Sequence, residues 1–410
     1  MFRKLLTLKE AQIVLSQNFS PEPVGVEQAP LLEADGRIAA ENVTASLDVP
    51  PFHRSTVDGY AVKAEDTFNA EEDQPVMLKV IGQASVGELP TAKVKKGTCV
   101  EIATGAPLPE GADAAVMFEH TDRKNSSISV YKAVAKDENM MKAGSDIRRG
   151  ETILQQGQAI SSREIGVLAA TGLTKVTVFR RPKVAVISTG GEVVEPGKPL
   201  SSGKIYDINA YTLNAAVSEC DCEPVYFGIV QDDFGHLRKA LGQALATADV
   251  VLTSGGVSVG PKDLTPKVLN ELGKPGVVVC GIAIKPGKPT TIALVDGKPV
   301  FALPGHPTSA LLVFHVLVRP LLLVMTGRAK RSEQATVQAV ACARMFSARG
   351  RRTFVMVHLV QNKSGKMRAF PVATGQSGAI TTLAKAEGFI EIDEQTQFVN
   401  AGETVVVYLF

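Results

Sequence analysis

The stretch Thr253-Ser254-Gly255-Gly256-Val257-Ser258-Val259-Gly260-Pro261-Lys262-Asp263 directly follows the apolar run Ala248-Asp249-Val250-Val251-Leu252. An apolar run that ends in glycines, hydroxyls, a lysine and a carboxylate is typical of a buried strand that delivers a polar loop to the edge of a sheet. Gly255 and Gly256 lack a Cβ, so the backbone there can adopt positive φ and expose N–H groups to a ligand. Because Pro suits a first helical turn and Asp or Thr an N-cap, the next helix is predicted to begin near 263–266 with its positive end facing the loop. The stretch therefore favours an anionic ligand.

The segment around this stretch alternates apolar β-branched runs with helical patterns from Arg181 onward. Helices are predicted near 209–219, 234–245 and 266–272, and strands at 184–187, 225–230 and 250–252. Unbroken apolar strands in strand–helix alternation indicate a doubly wound α/β domain, predicted at 181–327, whose sheet is buried on both faces. Its ligands are expected at the carboxyl ends of the strands. The segments that leave those ends are 188–192, 231–233, 253–263, 285–289 and 303–307.

The rest of the chain predicts three further domains, because 410 residues exceed one ordinary domain. Helical patterns at 7–18, 31–40 and 161–170 flank a region of short alternating runs, which is typical of β-structure. We therefore expect a discontinuous mixed helical domain at 1–48 and 142–180, interrupted by a β-rich inserted domain at 49–141. Short strand-like runs such as 353–358 and 404–408 predict a small C-terminal β-barrel at 328–410.

Composition excludes several classes of protein. Lys plus Arg is 44 against 42 for Asp plus Glu, a formal charge of +2, so no broad basic face is expected for nucleic acid or a membrane surface. The five cysteines lack the spacing of a zinc site or a disulfide framework. The N-terminus has too much charge for a secretory signal, and 310–325 is predicted to be a buried helix instead of a membrane span. A reduced, cytoplasmic environment is the expectation.

The predicted strand-end loops carry groups suited to anions. Lys285 and Lys288 flank Pro286-Gly287 and would present two ammonium groups and open backbone to a phosphate. A solvated turn is the simpler interpretation, but the position after an apolar strand favours the phosphate site. Asp263, Glu192 and Asp232 are hard oxygen ligands that could share Mg²⁺ with a substrate phosphate. Taken singly, Asp263 also suits a helix N-cap and Asp232 a turn.

A serine hydrolase is the alternative from another class. The residues Gly256-Val257-Ser258-Val259-Gly260 match the nucleophile elbow of α/β-hydrolases. In that elbow the helix begins immediately after the serine, whereas Pro261 and the capping signals delay it here. The two polar loops of the β-rich region, at 55–61 and 103–109, read on their own as ordinary β-turns.

Taken together, these loops resemble one family. The motifs are Ser55-Thr56-Val57-Asp58-Gly59-Tyr60-Ala61, Thr104-Gly105-Ala106-Pro107, Ser188-Thr189-Gly190-Gly191-Glu192, Ser254-Gly255-Gly256-Val257-Ser258-Val259-Gly260, Ile284-Lys285-Pro286-Gly287-Lys288-Pro289 and Leu303-Pro304-Gly305-His306-Pro307. They occur in order over nearly the whole chain and are similar to those of the molybdopterin molybdenumtransferases, the bacterial MoeA family related to the gephyrin E domain. The resemblance implies four domains, a homodimer, and insertion of molybdate into adenylylated molybdopterin with Mg²⁺, releasing AMP and molybdenum cofactor. It also points to the molybdopterin adenylyltransferase as a partner.

The resemblance assigns roles to individual residues. It implies catalytic roles for Asp58, Thr104, Glu192, Asp232 and Asp263. It implies metal binding by Asp263, Glu192 and Asp58. The implied binding residues for the pterin substrate are Ser254, Gly255, Gly256, Ser258, Lys285, Gly287, Lys288, Pro304 and Gly305. In the implied dimer, the inserted domain of one subunit closes over the α/β edge of the other.

Three positions depart from the commoner family pattern. Gly191 stands where an Asp often follows Thr-Gly, Gly281 where a Lys often lies four residues before Lys285, and Ala379 where a Ser can follow Gly378. The loss of one anion and one cation together leaves the net charge of the site nearly unchanged but alters its shape. Two alternatives within the family follow, a paralogue specific for tungstate and a molybdopterin-binding scaffold without catalysis. The acidic and lysine loops argue against the scaffold.

Overall fold

The computed structural model describes residues 5–256, 264–328, 335–372 and 380–410. Within these ranges the α-helices are Leu8–Asn18, Ser162–Ala170, Asn209–Glu219, Phe234–Thr247, Thr265–Leu272, Pro307–Val313, Arg319–Met325 and Ile380–Lys385.

A six-stranded central sheet organises the middle of the chain. Its strands, in spatial order, are Glu223–Val230, Lys183–Thr189, Val250–Ser254, Lys298–Leu303, Thr291–Val295 and Pro275–Cys280. The first four are mutually parallel. Thr291–Val295 is antiparallel to both of its neighbours, so Pro275–Cys280 runs with the other four. The doubly wound α/β prediction is confirmed, with one reversed strand that the sequence pattern did not indicate.

Each face of the central sheet carries its own hydrophobic core, because alternate side chains of a strand point to opposite faces. Val184, Val186 and Leu252 lie in one core, where the helix Asn209–Glu219 contributes Leu213. The other core packs the opposite face against two helices and contains Ala185, Ile187, Val251, Leu237, Leu241, Val268 and Leu269. All of these side chains are fully buried. The sheet is thus held rigidly from both sides.

The predicted buried helix at 310–325 is part of a longer helical segment, Pro307–Met325. A π-helical turn, Phe314–Val318, separates its two α-helical parts. Pro320 follows this turn and cannot donate a backbone hydrogen bond, and such local widening is a common response to an interrupted ladder. The segment is long and apolar enough to cross a membrane by length and composition alone, but 72% of its most apolar window is buried inside the protein. It packs in the core of the central sheet.

The chain before the central sheet forms a region of paired flanking segments and, between them in sequence, an inserted sheet. Val26–Pro30 pairs with Lys175–Phe179, and Val43–Thr44 pairs with Thr152–Leu154, so segments from either side of the β-rich region meet. Between them lies the inserted sheet, in the order Ala114–Met117, Gly59–Val62, Thr98–Ile102, Val76–Ala84, Ser127–Val130 and Thr121–Lys124. A short ladder joins Arg54–Ser55 to Met140–Met141. The domain boundaries given above stay predictions.

The first predicted helix, at 7–18, forms and is capped at its N-terminus. The Thr7 hydroxyl accepts from Glu10 N, and the Glu10 carboxylate accepts from Thr7 N at 2.7 Å, a complete capping box. The buried residues of this helix, Leu8, Ala11 and Leu15, join the core of the central sheet.

The second predicted helix, at 31–40, is wrong. Only the 3-10 turn Leu31–Glu33 forms there. Gly36 has a φ of +76°, which interrupts helical geometry. Ile38 and Ala39 then make isolated bridges to Ala159 and Val178.

The C-terminal region is a closed barrel, as predicted. Its strands, in order around the ring, are Arg352–Gln361, Met367–Pro371, Thr336–Ala341, Thr404–Leu409 and Gly388–Ile392. Ile284–Lys285 adds a short parallel strand to the outside of this ring at Arg352–Thr353. Two further two-stranded ladders lie outside these sheets, one pairing Met345–Phe346 with Phe398–Val399 and the other pairing Val193–Val194 with Ile205–Tyr206. The barrel is therefore joined directly to a loop of the central sheet.

Candidate functional site

The carboxyl ends of the central strands come into close contact at Gly255. This residue has a φ of +88°, and a Cβ built on it would lie 2.3 Å from the Thr189 carbonyl oxygen. Gly255 N also donates to Leu303 O at 3.3 Å. Only glycine permits three strand ends to approach this closely. Gly255 and Gly256 have the positive φ that the sequence predicts, but the Gly255 N–H is used within the sheet by Leu303 and is not exposed to a ligand.

Asn209 ties the strand ends to the loop that follows Leu303. Its Nδ2 donates to Ser254 Oγ at 2.6 Å and to Gly305 O at 2.7 Å. The Gly305 carbonyl can only accept, so this contact fixes the orientation of the buried Asn209 amide. Ser254, Gly255 and Gly305, three of the predicted binding residues, are thereby brought together. Sequence reasoning missed Asn209, which reads simply as the first residue of a helix.

A buried carboxylate fixes the start of the Asn209 helix. Asp207 is 4% exposed, and its Oδ1 accepts from Ala210 N at 3.1 Å. Its Oδ2 accepts from Tyr226 OH at 3.4 Å. Burial, and then the negative charge of Asp207, raise the pKa of Tyr226. Tyr226 therefore stays a neutral donor, and the Asp207 contacts hold Asn209 in place.

Two predicted carboxylates lie at this same edge and are exposed. The Glu192 carboxylate folds back toward Gly190, where a Cβ would meet its Oε2 at 2.8 Å. Asp232 approaches Gly256, with its Oδ1 3.6 Å from the position of a Cβ. Gly256 O in turn accepts from Thr265 Oγ1 at 3.2 Å, so the start of the next helix is adjacent. The structure thus places Asp232 beside the glycine loop and Glu192 on the neighbouring loop.

The Lys285–Lys288 loop connects two strands of the central sheet and touches the barrel. Gly287 has a φ of +113°, and a Cβ there would meet Val313 Cγ2 at 2.6 Å, so glycine is required for this close packing. Thr290 Oγ1 donates to Gly287 O at 2.7 Å. Lys285 pairs with Thr353 of the barrel. The loop is an anchored structure, which argues against the simple solvated-turn interpretation.

A cleft of about 430 Å³ lies between this loop and the barrel. Lys285, Lys288 and Arg351 line it, together with His306 and Pro304. Among the described residues that line the cleft, none is an Asp or Glu, and no ion pair joins Lys285, Lys288 or Arg351 to another described residue. The cationic groups are therefore available to a ligand. Sequence reasoning missed Arg351, because its Arg-rich run resembles a surface turn.

The wall of the cleft also contains a buried hydroxyl. Thr308 is 4% exposed and lies in the first turn of Pro307–Val313. Its Oγ1 has no hydrogen-bond partner within the described part of the chain. Because a buried hydroxyl without a partner is costly, this group is suited to pairing with a bound molecule. The positive end of the helical segment faces the same cleft.

Asp58 and Thr104 meet beside the inserted sheet, in the loops before Gly59 and after Ile102. Asp58 Oδ1 accepts from Thr104 N at 2.8 Å, and both side chains are exposed. Neither residue lines the cleft of the central sheet. The structure therefore brings these two predicted residues together with each other only.

The remaining predicted residues fall outside the described ranges. Ser258 and Asp263 lie in 257–263, and the departure Ala379 lies in 373–379. Within the described ranges, no group of three or more Asp, Glu, His or Cys residues could hold a metal ion. The metal assignment to Asp263, Glu192 and Asp58 stays a prediction. Among the described residues, the next helix after the glycine stretch begins at Thr265.

Comparison with known proteins gives matches along the chain. Residues 6–172 match the MoeA N-terminal region (domain I and II), residues 185–324 a probable molybdopterin binding domain, and residues 338–410 the MoeA C-terminal region (domain IV). A molybdopterin molybdenumtransferase of Haemophilus influenzae is 34% identical, covering 99% of both chains. One from Bacillus subtilis is 33% identical over 91% of this chain and 87% of its own.

A solved structure of a molybdopterin biosynthesis moeA protein from Pyrococcus horikoshii is 44% identical to this chain. It superposes with a TM-score of 0.87 and covers 99% of each chain. A second structure from that organism has a TM-score of 0.82 at 30% identity, covering 99% of this chain and 100% of its own. The similarity in sequence and in fold thus extends over all the regions described above.

Proposed function

The chain belongs to the MoeA family of molybdopterin molybdenumtransferases, and from this premise we propose that it inserts molybdate into adenylylated molybdopterin, releasing AMP and molybdenum cofactor. Membership supports an enzyme of molybdenum cofactor biosynthesis. Family membership does not identify the adenylylated substrate or the oxyanion, so both are part of the proposal. The motif resemblance and the chemistry of the cleft support it.

The observation that carries the proposal is the charge of the cleft. Lys285, Lys288 and Arg351 line one space of about 430 Å³ without a described carboxylate to neutralise them. The phosphates, the dithiolene and the oxyanion of the proposed reaction are all anionic and repel one another in water. Fixed cations in a partly closed site lower the cost of bringing such groups together. Lys285 and Lys288 would hold the phosphate or the oxyanion, and the Thr308 hydroxyl would donate to the same ligand.

Mg²⁺ fits the donors at the adjoining edge. Glu192 and Asp232 supply exposed carboxylates beside glycine backbone, and Mg²⁺ is commonly held by one or two carboxylates plus substrate phosphates. When bound, the ion would neutralise charge on the phosphate oxygens. Asp263, and Asp58 from a second subunit, are the further ligands that the family resemblance assigns.

The proposed assembly is a homodimer with two shared sites. A two-fold dimer repeats its contact, so the Asp58–Thr104 pair of each subunit would close over the central edge of the other. Asp58 and Thr104 lie outside their own chain's cleft lining, which agrees with this arrangement. The molybdopterin adenylyltransferase, as supplier of the substrate, and a cytoplasmic location complete the proposal.

One assay tests the reaction directly. Purified protein is incubated with adenylylated molybdopterin and Mg²⁺, with molybdate or tungstate in parallel arms, and AMP release and reconstitution of a cofactor-free molybdoenzyme are measured. We expect both signals with molybdate and their loss when EDTA removes the metal. A signal with tungstate alone would assign the chain to the tungstate paralogue. Failure with both oxyanions would exclude the proposed reaction.

A further inference from the structure

An exposed aromatic ring lies on the barrel side of the cleft. Phe346 lines the cleft, yet 67% of its surface remains exposed. It belongs to none of the buried core clusters. Exposed large apolar groups beside a ligand cleft are typical of binding surfaces. Core packing within the described chain therefore does not account for this ring.

The position of the ring is fixed from one side. Phe346 meets Phe398 edge to face, with centroids 6.4 Å apart and an interplanar angle of 67°. The Arg344 guanidinium carbon lies 4.6 Å from the centre of the Phe398 ring, and its Nη2 donates to Asn400 Oδ1 at 2.8 Å. This chain of contacts orients Phe346 before any ligand binds. A pre-oriented ring loses little side-chain entropy when it stacks.

The two walls of the cleft differ in chemistry. Lys285 and Lys288 make one wall cationic, whereas Phe354 and Met356, 4% and 6% exposed, make the barrel wall apolar. A ligand that satisfies both walls carries a phosphate and a flat apolar surface. A fused nitrogen heteroaromatic ring joined to phosphate has this combination, and its π-face suits an aromatic side chain.

We propose that Phe346 is a stacking surface for the fused heteroaromatic ring of a phosphate-bearing ligand held by Lys285 and Lys288. This inference rests on the proposed function, since adenylylated molybdopterin carries two fused nitrogen-containing ring systems, the pterin and the adenine. Phe346 would thereby select ligands by their ring, while the lysines select them by charge.

The absence of tryptophan from the chain permits a direct optical test. Phe346→Trp creates a protein with one tryptophan at the proposed stacking position. AMP and a pterin monophosphate are the two ring probes, and ribose 5-phosphate is the probe without a ring. We expect at least one ring probe to quench the tryptophan emission, because a stacked ring contacts the indole, and ribose 5-phosphate to leave it unchanged. The quenching probe identifies which ring is bound.

The matched control is Phe68→Trp. Phe68 is similarly exposed, at 62%, but lies in the inserted domain and outside the cleft lining. Its emission should not change with any probe. Equal quenching in the two variants would reflect collision in solution and would overturn the proposal.

Calorimetric titration then separates stacking from simple apolar contact. Phe346→Leu should weaken binding of the ring probe about tenfold, and Phe346→Tyr should stay within about twofold of wild type, because a tyrosine ring can still stack on a base whereas a leucine side chain cannot. Binding of ribose 5-phosphate should be unchanged in both. Equal loss in the Leu and Tyr variants, or an unchanged ring affinity in the Leu variant, would overturn the stacking role.

The test also distinguishes this inference from the proposed function. If Lys285→Ala weakens ribose 5-phosphate binding but Phe346→Leu changes nothing, the anion site stands and the stacking role fails. If neither substitution affects any probe, the cleft itself is not the ligand site and both fail. Dissociation of an oligomer by Phe346→Leu, measured by sedimentation, would make Phe346 an interface residue and would also overturn the inference.

Discussion

Site residues lie in two parts of the molecule that are held in different ways. The cleft lies between the central sheet and the barrel, and Phe354, Met356 and Phe389 of the barrel belong to the same core as Phe314 and Leu252. The Asp58–Thr104 pair belongs to the inserted sheet, whose core clusters are its own. A shared core fixes the two walls of the cleft relative to each other. A region with separate cores can contribute residues to a site on another chain. Such a shared site is found in the dimer that the family resemblance implies.

The largest expected effect tests whether the two regions work across subunits. Asp58→Ala and the double variant Lys285→Ala/Lys288→Ala should each be inactive alone in the insertion assay. In a mixed dimer one cleft carries all the substitutions and the other carries none. Random pairing after joint refolding gives roughly half mixed dimers, so about a quarter of wild-type activity should return.

The control for this experiment is wild-type protein denatured and refolded in the same way, which must recover fully. Gel-resolved mixed dimers without activity would place Asp58 and the lysines in one chain's site. The contrast between a fixed cleft and a separate inserted region would then have no functional meaning.

The cleft itself should respond strongly to loss of charge. Lys285→Ala and Lys288→Ala should each weaken binding of adenylylated molybdopterin by ~1.5–3 kcal/mol, because each removes a charge-assisted hydrogen bond to phosphate. Calorimetric titration measures the change. Lys175→Ala is the control, since Lys175 is exposed on a strand outside the cleft. Affinity equal to wild type in both cleft variants would return this loop to the solvated-turn interpretation.

The sequence predicted the elements of the site better than their mutual contacts. Apolar runs followed by glycine indicate strand ends, and the Lys285 loop was found because its pattern is local. Asn209 was not found, because its partners Ser254 and Gly305 are distant in sequence and an Asn at a helix start already has a local explanation. Arg351 was not found because only the pairing of Ile284–Lys285 with the barrel brings it to the cleft.

The core shared by the central sheet and the barrel should also affect how the stability of the fold changes at acidic pH. His315 is 4% exposed beside Phe314 and Phe410, and burial, with Arg319 adding to it, lowers its pKa to about 4. The unfolded chain binds this proton near pH 6.5, so the folded state loses stability as pH falls from about 6.5 to 4 and is unaffected above pH 7. Between pH 7.5 and pH 5 the loss should be about 2 kcal/mol.

His315→Leu provides the comparison, because it removes the titrating group and replaces it with an apolar side chain that suits the buried position. Urea denaturation at both pH values should show a smaller decrease for the variant than for wild type. Parallel decreases in the two proteins would show that His315 does not carry this pH dependence.

The smallest effect concerns the two glycines that depart from the family pattern, one at the central edge and one leading into the cleft loop. Gly281 has a φ of +80°, and a Cβ there would lie 2.7 Å from Leu5 Cδ2, so Gly281→Lys should lower stability by about 1–2 kcal/mol.

Gly191 is exposed, has no atom within 4 Å of a built Cβ, and lies outside the left-handed region. Its carbonyl accepts from Lys204 Nζ, which could also pair with a new carboxylate. Gly191→Asp should therefore change the free energy of unfolding by no more than about 0.5 kcal/mol, as expected for an exposed site without packing constraints. Thermal and urea denaturation of the two variants measure the difference, and competition between molybdate and tungstate in the insertion assay shows whether the added anion alters selectivity. A large loss of stability in Gly191→Asp would mean that the backbone, and not the oxyanion, requires glycine at both positions.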